Sequence, residues 1–90
     1  MVAESRSSLI SYPCDFPIKV MGARVEGFAE AICALIAAHD PFFNPALIEM
    51  RPSRNGNYLG LTITVRAQSR EQLDGIYLAL TKHPMVKVVL

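Results

Sequence analysis

The spacing of apolar residues along the chain switches repeatedly between two and the three-and-four of a helix. From Phe16 to Gly22 the apolar positions alternate, which predicts a strand, and from Val25 to His39 they recur at helical spacing. Alternation returns over Ala46 to Pro52 and over Tyr58 to Ala67, on either side of Asn55-Gly56, the dipeptide that best tolerates the positive φ of a tight hairpin turn. A second helical run begins at Ser69, and Met85 to Leu90 reads as a closing strand. The order is βαββαβ. With right-handed crossovers it closes as an α+β, ferredoxin-like sandwich: a four-stranded antiparallel sheet of order 4-1-3-2, with two helices on one face.

Period two also sorts side chains between the faces of that sheet. In the third strand Leu59, Leu61, Ile63, Val65 and Ala67 form an apolar face, which leaves Tyr58, Gly60, Thr62, Thr64 and Arg66 on the other. In the first strand Phe16, Ile18 and Val20 point inward, so Lys19 and Met21 join the open face. Glu49 and Arg51 from the second strand, and Lys87 and Val89 from the fourth, complete it. Strands one and three are central, so Lys19, Met21, Tyr58, Thr62 and Thr64 are expected together on an uncovered surface. The first helix carries Val25, Phe28, Ile32, Leu35, Ile36 and His39 on one stripe and must stop at Asp40-Pro41. Ser69 with Gln72 makes a capping box for the second helix, whose inward stripe is Leu73, Ile76, Tyr77 and Leu80. Phe42 and Phe43 cannot both face inward from an extended segment, so one is expected in the core and the other at the surface.

Composition sets limits on this picture. A chain of 90 residues supports one core, expected over residues 9 to 90 behind a polar, serine-rich, flexible tail of residues 1 to 8. Nine basic and eight acidic residues leave a formal charge of +1 and no electrostatic footprint for nucleic acid or anionic lipid. The start, Met1-Val2-Ala3-Glu4-Ser5-Arg6, is unlike a secretory signal, and no apolar run approaches the length of a bilayer span. A soluble, cytoplasmic protein is therefore expected. Cys14 and Cys33 are too few for a disulfide framework and are expected as free thiols.

Catalytic and cofactor chemistry finds little support. Gly22-Ala23-Arg24-Val25-Glu26-Gly27-Phe28 looks superficially like the phosphate-gripping turn of acylphosphatases, but Ala29 stands where the arginine would follow the phenylalanine. Cys14, Cys33, His39 and His83 are dispersed, and no CxxC loop follows the first strand, so no metal is expected. An RNA-binding sheet of this strand order stacks bases on aromatics of strands one and three, whereas this face offers one Tyr58. Arg51, Arg54 and Arg66 form a modest basic patch expected near the hairpin.

The run Tyr12-Pro13-Cys14-Asp15-Phe16-Pro17-Ile18-Lys19-Val20-Met21-Gly22, then Ser53-Arg54-Asn55-Gly56-Asn57-Tyr58 with Ile63-Thr64, and the ending Val86-Lys87-Val88-Val89-Leu90 resemble the YbeD-like family of small bacterial proteins. The resemblance spans residues 10 to 90. It implies a ferredoxin-like sandwich similar to ACT regulatory domains, no established catalytic activity, and a link to lipoate metabolism in some bacteria. No catalytic or ligand residues carry over from it.

Two functional readings follow, neither an enzyme and neither requiring a cofactor. In the first, the domain is a regulatory or protein-interaction module that binds a protein or its own copy through the open face, with Tyr58, Met21 and Val89 as apolar contacts and Lys19, Lys87 and Arg51 around them; across both readings the candidate partner- or ligand-binding residues are Lys19, Met21, Gly22, Tyr58, Thr62 and Thr64. In the second, it senses a small anionic metabolite as ACT-like domains do, near the first strand-helix turn, where Gly22, Arg24 and the hairpin form a pocket that a second copy can complete. There Gly22 would let a ligand approach the backbone and a helix N-terminus would favour its charge.

Overall fold

A computed structural model describes residues 11–90. The expected N-terminal tail of residues 1 to 8, together with Leu9 and Ile10, lies outside the described residues. Four strands, β1 (Cys14–Ala23), β2 (Glu49–Pro52), β3 (Tyr58–Ala67) and β4 (Val86–Val89), and two helices, α1 (Phe28–His39) and α2 (Arg70–Lys82), follow one another as β1-α1-β2-β3-α2-β4. The sheet is antiparallel throughout, in the order β2-β3-β1-β4. This is the ferredoxin-like sandwich that the periodicity predicts, with both helices on one face.

The core lies between sheet and helices. Ile18 and Val20 of β1 and Leu61, Ile63, Val65 and Ala67 of β3 are buried against Phe28, Ile32 and Ile36 of α1 and Leu73, Ile76 and Leu80 of α2. Val25 is half exposed and does not belong to the α1 stripe. The helix starts three residues later than its apolar spacing suggests because Gly27 adopts φ 88°, a left-handed conformation that a continuing helix cannot contain.

β2 and β4 are also shorter than their patterns. Ala46 and Leu47 belong to a 3-10 turn, Pro45–Leu47, held by the Asn44 side chain accepting from the Ala46 amide at 3.0 Å. The β2–β3 connection is a four-residue loop closed by Ser53 and Tyr58, in which Gly56 (φ 76°) takes the positive dihedral and Asn55 does not. Of the two neighbouring phenylalanines, Phe43 packs on the core and Phe42 is 69% exposed.

The end of α1 is tied to the sheet by a residue whose sequence signature is only that of a helix stop. Asp40 is buried, and its carboxylate accepts from the Phe42 amide at 2.9 Å and from the Arg66 amide at 2.8 Å. Arg66 lies beyond the end of β2, on the side of β3 that β2 would otherwise pair. The carboxylate thus takes the place of a missing strand acceptor, and no buried side-chain polar atom among the described residues lacks a partner.

Candidate functional site

The β1–β3 register sets Lys19 opposite Thr62, Met21 opposite Gly60 and Pro17 opposite Thr64. β2 adds Glu49 beside Thr62 and Arg51 beside Gly60. Successive rows across the sheet therefore read Lys19, Thr62, Glu49 and then Met21, Gly60, Arg51. Among the described residues no helix covers them, because the buried positions of both helices pack on the alternate residues of β1 and β3.

Gly60 has no side chain, and the face sinks around it into a hollow of about 450 Å³ walled by Met21, Tyr58, Arg51, Thr62 and Lys19, with Val88 at its β4 side. That volume falls in the range of small recognition pockets. Met21, Tyr58 and Val88 are each between 42% and 46% exposed, so the hollow has apolar walls and a charged rim. Among the described residues neither Lys19 nor Arg51 has a carboxylate within ion-pair distance.

Five of the expected site residues, Lys19, Met21, Tyr58, Thr62 and Thr64, do share this face, although Thr64 lies outside the hollow. Gly22 is not brought to them. It is buried on the helix side, where an added Cβ would run into the Met85 carbonyl oxygen and the Phe28 ring, 2.6 Å away. The helix N-terminus that the anionic-ligand reading places at that turn begins only at Phe28, whose ring fills the space beside Gly22.

Val89 was expected on the open face and is not there. The pairing shifts between Met21 and Gly22, which face Val88 and Val86 respectively, so Lys87 is an extra residue in β4. The bulge turns Val88 to the open face and Val89 toward the core. The basic patch also differs in membership: Arg66 sits at the far end of β3 and pairs with Asp15 at 3.1 Å, while the Arg24 guanidinium lies against Gly56 of the hairpin. Arg24, Arg51 and Arg54 are the cations at the hairpin end. Gly60 is not among the expected binding residues, although a lone glycine between Leu59 and Leu61 in an alternating strand is a signal for a bulge or a close approach.

Both sheet edges are poor templates for another strand. Ser53 and Tyr58 are a bonded pair and bonding alternates, so Met50 and Pro52 face outward on β2, and proline has no N–H to offer. On β4, Lys19 and Leu90 exchange both backbone bonds, which leaves Val89 facing outward next to the Lys87 bulge. A lysine and a bulge are known devices against edge pairing.

Chemistry elsewhere is sparse. Among the described residues no three His, Cys, Asp or Glu side chains converge as metal ligands, and no helix is long and apolar enough to cross a membrane. Both cysteines are free. Burial, with Glu30 adding to it, pushes the Cys33 thiol above its ordinary pKa and keeps it protonated.

A family model described as a protein of unknown function, DUF493, matches residues 7–90. Similar curated proteins are a UPF0250 protein of Ralstonia nicotianae, 65% identical over 85 residues that cover 94% of this chain and 88% of the relative. Another, of Leptothrix cholodnii, is 63% identical over 83 residues, 92% of this chain and 91% of the relative. A third, of Bordetella pertussis, is 61% identical with the same coverage. These names correct the YbeD-like resemblance: the family matched is DUF493, its relatives are called UPF0250 proteins, and the lipoate connection inferred through the resemblance falls with it.

Proposed function

The chain belongs to the DUF493 family of proteins of unknown function, and from that premise we propose that it is a non-catalytic interaction module that binds a protein partner through the open face of its sheet. One observation carries the reading: among the described residues a hollowed, half-apolar surface lies uncovered in the middle of the sheet while both edges are blunted. Exposed apolar side chains ringed by charge are the usual anatomy of a recognition surface. Met21, Tyr58 and Val88 supply the apolar contacts, Lys19 and Arg51 the charged rim, and Thr62 a hydroxyl between them. Thr64 extends the surface along β3.

Capture from a lysate of the native host, quantified by mass spectrometry, tests this. The wild-type chain is compared with the folded double variant Lys19→Glu, Thr62→Glu. A protein retained by the first and lost with the second is the expected result, and equal retention by both would sink the reading.

A further inference from the structure

Nothing in the backbone or the packing at Gly60 requires glycine. Its φ is not positive, unlike those of Gly27 and Gly56, and a Cβ built on it would meet its nearest neighbour, the Arg51 carbonyl oxygen, at an ordinary 3.5 Å. Glycine inside a strand weakens the sheet. A side chain here would fit the fold and would fill the hollow. The hollow is therefore what the glycine maintains, and it lies between Met21 of β1 and Arg51 of β2.

Lys19 and Arg51 flank this depression on opposite sides of β3, both without an acidic partner among the described residues. Arg24 and Arg54 add positive charge at the hairpin end, against Glu49 as the acidic residue lining the hollow. Charge complementarity thus selects an acidic occupant, and the apolar walls select one that inserts a large apolar side chain. Resting on the interaction-module reading, we propose that the Gly60 hollow receives one large apolar side chain of an acidic protein segment, whose carboxylates meet Lys19 and Arg51.

The test is selection of a displayed random-peptide library on the intact chain, followed by affinity measurement with the enriched peptides. Enriched sequences should pair Asp or Glu with a nearby large apolar residue. Their affinity should drop at least about tenfold in Gly60→Val, which fills the hollow, and similarly in Lys19→Glu and Arg51→Glu, each checked for a thermal midpoint no lower than that of the wild type. The two surface charge variants keep the test valid should Gly60→Val fold poorly. No enrichment, neutral or basic peptides, or indifference to Gly60→Val would each overturn the proposal. So would a dimer in sedimentation, or a bound single-stranded RNA probe, that these substitutions abolish, because the hollow would then belong to a second copy or to nucleic acid. Neutral peptides still lost on Lys19→Glu with Thr62→Glu would sink the acidic partner alone and leave the module reading standing.

Discussion

Two glycines on neighbouring strands do opposite work. Gly22 makes room for the Phe28 ring and the Met85 carbonyl, so Gly22→Ala should cost about 1 to 3 kcal/mol through overpacking. Gly60 has room for a methyl group, which would meet the Arg51 carbonyl oxygen at an ordinary 3.5 Å, and Gly60→Ala should instead stabilise the sheet by about 0.5 to 1 kcal/mol. Urea midpoints of the two variants moving in the same direction would contradict this contrast. Asp40 is the other residue with a large individual effect: Asp40→Ala orphans the Phe42 and Arg66 amides and should cost about 2 to 3 kcal/mol, with Asp40→Asn costing less. At Cys33 the protonated thiol should react slowly with iodoacetamide at pH 8. In a Cys14→Ser background, Glu30→Gln should shift the rate profile to lower pH, since it removes the second of the two causes that hold the thiol protonated.

At the scale of elements, α2 is tied down at its start. The Ser69 hydroxyl accepts from the Gln72 amide at 3.1 Å, as a capping box requires, but the Gln72 side chain reaches one residue further back, to the Gln68 amide, and also donates to the His39 carbonyl at 2.9 Å. The cap of α2 thereby holds the last turn of α1. Ser69→Ala should lower stability by about 0.5 to 2 kcal/mol, and a cycle with Gln72→Ala should be non-additive because both residues serve one cap. Ser69 and Gln72 were legible in the sequence because capping is local. The reach to His39 was not, since it joins residues 33 apart in the chain. The same distinction explains β4, where alternation assigns Val89 to the open face and the bulge at Lys87 reassigns it.

Across the whole molecule, the order β2-β3-β1-β4 puts the two ten-residue strands in the centre and two four-residue strands at the edges. Protection should follow this layout. Bonding alternates, so the Leu61 and Ile63 amides face β1 inside the core, whereas those of Met50 and Val89 face outward. In native-state hydrogen exchange Leu61 and Ile63 should open only with global unfolding, and Met50 and Val89 should exchange orders of magnitude faster. Slow exchange at Met50 or Val89 would mean that an edge is paired in solution, and the case for the open face would weaken accordingly.

The sequence by itself determined the elements, their order and the inward sets of β1 and β3, because hydrophobic period and capping are properties of residues a few positions apart. It also placed Lys19, Met21, Tyr58, Thr62 and Thr64 on one surface, since alternation along two adjacent strands needs only their pairing to become a patch. Tertiary structure alone decided that Gly22 is packed and Gly60 is open, that Asp40 stands in for a strand, and that Val88 rather than Val89 faces outward. Each of these depends on which distant atoms come within a few ångströms, and a one-residue shift in pairing reverses a side chain without changing its local pattern.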